Sequence, residues 1–138
     1  MSRDQLRAQI AKHEGLRLHP YQDTVGKWTI GFGRNLSDNG ITRAEALLLL
    51  DHDIDDAMRD LMARFPWTAT LDTVRFAVLV EMCFNLGIAR LAGFKNTLRA
   101  VERGDYDAAA KGMLASKWAS QVKGRAVTMA RQMRSGAW

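Results

Sequence analysis

Apolar positions recur every three or four residues through most of the chain, which is the spacing of an amphipathic helix. This spacing predicts a helix over residues 2–14 and a longer one over residues 42–65. Each begins with a capping box, a Ser or Thr followed three residues later by Gln or Glu, and Pro66 ends the longer helix. The same spacing predicts further helices over residues 71–86, 94–102, 105–115 and 120–134. The chain is therefore expected to be mainly helical.

A different pattern fills residues 16–33, where apolar and polar side chains alternate and β-branched and aromatic residues are frequent. Two such runs flank the turn-rich segment 23–26, which predicts a pair of antiparallel strands. Residues 37–40 have the composition of a loop. A sheet this small cannot form a core by itself, so we expect it to form a lip over a helical body. The predicted fold class is α+β, mainly α, with one small antiparallel sheet near the N-terminus.

The composition is that of an ordinary globular domain. Of 138 residues, 47% are apolar and 25% charged, which excludes a disordered or collagen-like chain. The one cysteine, Cys83, cannot form an internal disulfide and fits a reducing compartment. The apolar runs are far shorter than the ~20 residues that cross a bilayer, and the first residues lack the apolar segment of a signal peptide. We therefore expect the chain to accumulate in the cytoplasm, without stable membrane insertion.

Positive charge is concentrated in the second half of the chain. Residues 1–66 contain nine Lys/Arg and ten Asp/Glu, a net charge of −1, whereas residues 67–138 contain eleven and five, a net charge of +6. From Lys111 onward there are six basic residues and no acidic residue. This distribution attracts polyanions, such as nucleic acid, anionic lipid or acidic cell-wall polymers, and does not select among them.

Three polar residues near the N-terminus form a candidate catalytic group. Glu14 lies at the predicted end of the first helix, Asp23 in the hairpin turn and Thr29 on the second strand. A carboxyl group among apolar residues is partly desolvated and can stay protonated near neutrality, whereas a carboxyl group in an exposed turn stays ionised. Glycosidic cleavage uses one group of each kind. Spacing alone does not distinguish this interpretation from a pair of ordinary surface carboxylates.

The residues around this group resemble those of the phage-type lysozymes, the endolysin family. That family has a Glu, eight residues, an Asp or Cys, five residues and a Thr, and Glu14, Asp23 and Thr29 match this spacing. The matching segments around them are 13–18, 21–26 and 28–33. The likeness continues in order through residues 74–77, 82–87, 92–99, 116–118, 124–126 and 134–138.

The resemblance implies a lysozyme-like, two-lobed fold and a role for each member of the group. Glu14 would be the general acid. Asp23 would position the attacking water and stabilise an oxocarbenium-like transition state, and Thr29 would hold that water. The family inverts the anomeric configuration, so we expect the carboxyl groups of Glu14 and Asp23 to lie about 6.5–9.5 Å apart.

The resemblance also implies supporting residues. Arg125 matches an arginine that pairs with the catalytic glutamate. Substrate-binding or cleft-wall positions are matched by Asn35 on the sheet lip and by Phe84, Asn85, Thr97 and Trp118 on the helical lobe.

Four departures from the family pattern affect the expected site, and one of them is Asn85 in place of a Gln. Arg34 replaces a His that pairs with an Asp, and because Asp53 falls at the matching place, an Arg34–Asp53 pair is predicted. Gly112 falls where the family has an Asn that contacts substrate. The segment between Leu36 and Ile41 is shorter than in the family, so we expect a smaller lip and a more open cleft.

We expect one domain over residues 1–138. In this prediction the helix over residues 1–14 packs on the helical lobe, residues 15–40 form the small β lobe, residues 42–65 form the linking helix and residues 67–138 form the helical lobe.

The implied function is that of a phage endolysin, a muramidase that hydrolyses the β-1,4 bond between N-acetylmuramic acid and N-acetylglucosamine in peptidoglycan. We expect a monomer without cofactor, released from the host cytoplasm through a holin-like pore to the periplasm and cell wall at lysis. A lytic transglycosylase or a non-hydrolytic murein-binding protein of the same fold remains an alternative. A basic, helical nucleic-acid-binding module is less favoured because no known reader motif occurs.

The acidic cluster within residues 51–60 does not predict a metal site. A calcium-binding EF-hand loop needs Gly at its sixth position and Glu at its twelfth. Counted from Asp51, these positions are Asp56 and Met62. The cluster is more typical of a solvated helix face, and the three histidines lack the spacing of metal ligands.

Overall fold

The computed structural model describes residues 2–138 and is mainly helical, with a small sheet near the N-terminus. The strands are β1 (Arg17–Gln22), β2 (Trp28–Gly31) and β3 (Arg34–Asn35). The helices are α1 (Arg3–Glu14), α2 (Leu36–Asn39), α3 (Arg43–Arg64), α4 (Thr73–Leu86), α5 (Ile88–Ala92), α6 (Lys95–Glu102), α7 (Tyr106–Leu114), α8 (Lys117–Val122) and α9 (Gly124–Ser135). A 3₁₀ helix, Pro66–Thr70, lies between α3 and α4. The predicted fold class, mainly α with a small antiparallel sheet near the N-terminus, is confirmed.

The chain forms two compact units, unit 1 (Met1–Leu48) and unit 2 (Leu49–Trp138). The boundary falls within α3, at a position where the sequence shows continuous helical spacing. All residues of α1 are described and none is buried. The packing of this helix on the helical lobe concerns two different units and stays a prediction. The assignment of all 138 residues to one domain also stays a prediction.

Unit 1 is organised around the sheet, in which β2 lies between β1 and β3 and both pairings are antiparallel. Among residues 2–48 only Thr29 is buried. A sheet of this size with no apolar core of its own depends on its hydrogen bonds and turns to keep a defined shape. The polar side chains of the turns therefore matter more here than in unit 2.

Two of the predicted element boundaries are wrong. Residues 37–40, expected as a loop, mostly belong to the short helix α2, because the Asn35 side chain accepts a hydrogen bond from the Asp38 amide and caps its first turn. The helix predicted over 120–134 is two helices. Ser116 caps the first, α8, and Lys123 separates it from α9 with a φ of 50°.

The predicted Arg34–Asp53 pair is also wrong in the identity of the acid. Arg34 donates to both carboxylate oxygens of Glu45, at 2.9 and 2.8 Å, and to the Gly40 carbonyl at 3.2 Å. The Glu45 side chain is held near Arg34 by the Thr42 capping box. In this box the Thr42 amide donates to the Glu45 carboxylate at 2.9 Å, and the Glu45 amide donates to the Thr42 hydroxyl at 3.1 Å. The pair ties β3 to the first turn of α3 within unit 1.

Unit 2 contains the hydrophobic core. The largest of its fully buried side chains come from α3, α4, α5, α7 and α9: Leu61, Leu79, Met82, Leu91, Met113, Met129 and Met133. Within α3 only Ala57 and Leu61 are buried, so the helical spacing that begins at Leu47 marks an apolar stripe of which only the second half enters this core. Cys83 is a buried free thiol, and desolvation raises its pKa, which opposes a role as a nucleophile.

Across residues 2–138, no helix combines the length and apolar character that a membrane-spanning segment requires. The same residues contain no group of three or more His, Cys, Asp or Glu side chains arranged to hold a metal ion.

The Arg34–Glu45 pair makes the stability of the folded chain depend on pH. Hydrogen bonds from Arg34 and Thr42 lower the pKa of Glu45 from 4.5 to about 2. Because the pKa of Glu45 is lower in the folded chain than in the unfolded chain, the pair stabilises the fold fully at pH values above 4.5. This stabilisation is lost as the pH falls towards about 2. In Glu45→Gln, the midpoint of thermal unfolding, followed by circular dichroism, should fall less steeply with pH over this range than in the wild type.

Asp4→Asn is the matched control, because Asp4 belongs to an exposed pair with Arg7 at 3.3 Å within one helix turn. This variant should keep the wild-type slope. A wild-type slope in Glu45→Gln would contradict the role assigned to the pair.

Candidate active site

Glu14 is the last residue of α1 because the next residue, Gly15, leaves the helix with a φ of 72°. The Gly15 amide still donates to the Ala11 carbonyl at 2.9 Å, which fixes the end of the helix. The Glu14 side chain is exposed. Its carboxylate packs against the turn between β2 and β3, where a Cβ atom placed on Gly33 would lie 2.7 Å from Oε2.

Gly33 therefore has two reasons to be glycine. Its φ is 82°, a conformation that side chains disfavour, and the space next to it is filled by the Glu14 carboxylate. The sequence signal for this role is a second glycine just after a short strand, since glycine in such a place is typical of a close approach by another group.

Asp23 is held in a tight turn between β1 and β2. One carboxylate oxygen, Oδ1, accepts hydrogen bonds from the amides of Val25 at 2.9 Å and Lys27 at 2.8 Å. The Asp23 amide in turn donates to the Lys27 carbonyl at 2.9 Å. Within the described residues Oδ2 accepts no hydrogen bond, so the turn fixes the carboxylate by one oxygen and leaves the other for an external donor.

Thr29 lies on the central strand and is 5% exposed. It pairs with Tyr21 on β1 and with Asn35 on β3, and directly paired residues project to the same face of a sheet. Its hydroxyl donates to the Lys27 carbonyl at 3.1 Å. The hydroxyl oxygen can still accept a hydrogen bond, which is what holding a water molecule requires.

Asn35 is paired with Thr29 across β2 and β3 and projects to the same face of the sheet, but its side chain is hydrogen-bonded to Asp38. Oδ1 accepts from the Asp38 amide at 3.0 Å, and Nδ2 donates to the Asp38 carboxylate at 2.9 Å. The structure thus gives Asn35 a capping role that the resemblance did not imply. Its role in substrate binding stays a prediction.

The three candidate catalytic residues all belong to unit 1, and a different local structure positions each of them. Glu14 lies at the end of a helix, Asp23 is held in a turn, and Thr29 is fixed by the pairing of β2 with its neighbouring strands. The surroundings of the two carboxyl groups are the reverse of those expected from the sequence: Glu14 is exposed at a helix end, whereas Asp23 is half-buried and held in its turn by two amides. Their predicted separation stays a prediction.

On unit 2, Trp118 is the best anchored of the predicted cleft residues. It is 3% exposed, its indole Nε1 donates to Asn85 Oδ1 at 2.9 Å, and its ring meets Phe94 edge-on with centroids 6.3 Å apart. Asn85 therefore acts as the partner that satisfies a buried indole N–H.

Trp118 and Thr97 line the same depression, of about 760 Å³, on unit 2. Phe84 does not line this depression. It is 43% exposed and lines a smaller one, of about 240 Å³, together with acidic residues such as Asp56 and Asp60. The structure thus brings Thr97 and Trp118 together and places Phe84 in a different environment.

Arg125 donates from Nε to Glu81 Oε2 at 2.7 Å, an ion pair within unit 2 that sequence reasoning missed. A possible signal was the spacing of Glu81 and Asn85, which are four residues apart on α4 and so lie on one face of that helix. These two side chains receive the hydrogen bonds from Arg125 and Trp118. The pairing of Arg125 with Glu14 involves residues of two different units and stays a prediction.

Comparison with known proteins agrees with the resemblance. The pre-baseplate central spike protein Gp5 of Enterobacteria phage T4 is 32% identical over 87% of the chain, but the match spans only 26% of that protein's length. An endolysin of Acyrthosiphon pisum secondary endosymbiont phage 1 is 29% identical, over 84% of the chain and 79% of the endolysin. The probable T4-type lysozyme 1 of Dictyostelium discoideum is 28% identical, over 81% of the chain and 83% of that protein.

The family model described as phage lysozyme matches residues 11–135, which includes all the candidate catalytic residues and most of both units. The chain belongs to the phage lysozyme family.

Proposed function

We propose that the chain is a muramidase, which hydrolyses the β-1,4 bond between N-acetylmuramic acid and N-acetylglucosamine in peptidoglycan. Family membership supports a lysozyme-like peptidoglycan hydrolase. The muramidase proposal depends on two carboxyl groups that lie in one small unit. The Glu14 carboxylate is exposed and lies against Gly33, and the Asp23 carboxylate is held by two backbone amides.

Glu14 is the general acid in this proposal. Its position at a helix end leaves the carboxyl group exposed, so it can reach the oxygen of a glycosidic bond laid against the sheet. A sugar chain bound there displaces water and supplies the desolvation that favours the protonated form of a carboxyl group. The acid then donates its proton to the departing oxygen, which lowers the cost of breaking the bond.

Asp23 and Thr29 act on the attacking water. The free Oδ2 of Asp23 accepts one proton from the water as its oxygen bonds to the sugar carbon, while the Thr29 hydroxyl oxygen accepts a hydrogen bond from the O–H that the water keeps and so orients the molecule. The Asp23 carboxylate also stabilises positive charge that develops on the sugar. Because the water attacks from the face opposite the departing oxygen, the anomeric configuration is inverted.

Unit 2 supplies the remaining contacts in the proposal. Thr97 and Trp118 line a depression of about 760 Å³, and Asn85 fixes the indole of Trp118. Arg125 is the partner proposed for Glu14, in addition to its ion pair with Glu81. The positive charge of unit 2 favours approach to an anionic cell wall and is screened by salt.

In its biological role the protein would act as a monomeric endolysin. It would accumulate in the host cytoplasm, reach the periplasm and cell wall through a holin-like pore, and release phage progeny by lysis.

Removing the proton donor tests the proposal. Glu14→Gln keeps the size and polarity of the side chain but cannot donate the proton, so muropeptide release from purified peptidoglycan should fall by about 10²-fold or more. The thermal unfolding midpoint should stay at the wild-type value because the side chain is exposed. Substantial residual release by a folded variant would contradict the role of Glu14.

Asp23→Ala separates hydrolysis from transglycosylation, which needs only the acid. If water is activated as proposed, this variant should lose muropeptide release almost as completely as Glu14→Gln. Full activity in Asp23→Ala, with loss in Glu14→Gln, would favour the transglycosylase instead.

The contact between Gly33 and Glu14 gives a prediction with a matched control. Gly33→Ala places a methyl group 2.7 Å from Glu14 Oε2 and must displace the carboxylate, so kcat should fall by at least about tenfold with little change in KM. Gly31→Ala imposes a similar backbone strain, since φ is 71° there, but its methyl group would have no neighbour within 4 Å. An equal loss of kcat in both variants would show that backbone strain, rather than the position of Glu14, determines the effect.

A further inference from the structure

The segment between α3 and α4 holds two aromatic side chains beside α6. The rings of Phe65 and Trp67 lie with centroids 6.2 Å apart at an interplanar angle of 54°. Hydrogen bonds fix the backbone of this segment, since the Thr68 hydroxyl donates to the Phe65 carbonyl at 2.7 Å and the Thr70 hydroxyl donates to the Trp67 carbonyl at 2.8 Å. The turn itself therefore holds the aromatic pair in place, which lowers the entropic cost of binding a ligand there.

The two rings line a depression of about 250 Å³ on unit 2, which we call the Trp67 pocket. Both rings are half-buried, so part of each side chain remains open to solvent. The volume lies just below the roughly 300–1,000 Å³ of pockets for drug-sized ligands and suits a single ring. The other residues that line the Trp67 pocket are Ala92, Lys95, Leu98, Arg99 and Glu102.

Three exposed polar side chains of α6 form the rim of the Trp67 pocket. Lys95, Arg99 and Glu102 are spaced four and three residues apart, so they lie on one face of the helix. Among the salt bridges formed by residues 2–138, none includes any of these three. The rim therefore offers two cationic donors and one carboxylate acceptor beside an apolar surface.

This combination of charges points to a neutral, hydroxylated ligand. An anion would be attracted by Lys95 and Arg99 but repelled by Glu102, and a cation would be attracted by Glu102 but repelled by the other two. A hydroxyl group can use all three, because it both donates and accepts hydrogen bonds. A sugar ring carries several hydroxyl groups, and its C–H face is an apolar surface that can pack on aromatic side chains.

We propose that the Trp67 pocket binds one neutral sugar ring, N-acetylglucosamine of a peptidoglycan strand, as a second carbohydrate site that performs no cleavage. None of the proposed catalytic residues lines it. The choice of this sugar rests on the proposed function, since N-acetylglucosamine is the sugar of that strand that carries no charge. A second contact of this kind keeps the protein on the insoluble wall between cleavage events, because it raises the effective concentration of the strand at the protein.

NMR titration of the wild-type chain with N-acetylglucosamine tests the pocket, because the monosaccharide contains no bond to cleave. The indole N–H signals of the four tryptophans, assigned by single substitution, report on separate places in the protein. The Trp67 signal should shift with added sugar, whereas the signal of Trp138, which is 71% exposed and outside the pocket, should not. Glucosamine and glucuronate, which carry a cation and a carboxylate, should bind at least about threefold more weakly.

Two substitutions of Glu102 form a matched pair, since both remove the charge but only Gln keeps an acceptor oxygen. Glu102→Ala should weaken the binding reported by Trp67 by about two- to tenfold, as expected for one lost hydrogen bond, whereas Glu102→Gln should stay within about twofold of the wild type. Both variants should fold, because Glu102 is exposed. In the Glu14→Gln background, Glu102→Ala should also reduce the fraction of protein that sediments with intact sacculi.

Equal weakening in the two Glu102 variants would overturn the pocket, because charge alone would then explain the loss. A shift confined to the Trp118 signal would also overturn it, since the sugar would then occupy only the larger depression. So would tighter binding of thymidine monophosphate, which would identify the aromatic pair as a stacking surface for bases.

The pocket and the proposed function fail in different ways. Absence of sugar binding at Trp67 with intact muropeptide release would overturn the pocket alone. Sugar binding at Trp67 in a chain that releases no muropeptides would support the pocket and overturn the hydrolase.

Discussion

The Glu14 carboxylate can lie on the sheet because Gly33 has no side chain. Two left-handed glycines produce this contact: Gly15 ends α1 at Glu14, and Gly33 turns the chain between β2 and β3 while leaving room for Oε2. Neither conformation is open to an ordinary residue at low cost. The proposed general acid is thus positioned by backbone geometry and close approach, since Glu14 forms no salt bridge among residues 2–48.

The rest of unit 1 follows the same principle. With Thr29 as its only buried residue among positions 2–48, it has little apolar packing to fix side chains, and polar groups bonded to the backbone perform that task. Asp23 accepts from two amides of its own turn, Asn35 caps α2, and Arg34 is held by Glu45. Unit 2 is organised differently, around a methionine-rich core into which the Trp118 indole is packed.

Local signals in the sequence were sufficient for much of the fold. The capping boxes at Ser2 and Thr42 begin α1 and α3 as expected, and alternation located the hairpin around Asp23. The break at Lys123 could not be predicted, because a lysine with a φ of 50° follows no local rule. The need for glycine at positions 33 and 112 could not be predicted, because it comes from Glu14 and Thr97, which are distant from them in sequence. The partners Glu45 and Glu81 were missed for a similar reason, since charge pairing across elements depends on tertiary placement.

In the proposed mechanism, Asp23 and Thr29 direct a water molecule onto the anomeric carbon while Glu14 protonates the departing oxygen on the opposite face. The decisive experiment is digestion of purified peptidoglycan, with the new chain ends followed at early times by NMR and by mass spectrometry. Inversion predicts reducing N-acetylmuramic acid ends that appear first as the α anomer. Ends of 1,6-anhydro type, or reducing ends that appear first as the β anomer, would contradict it.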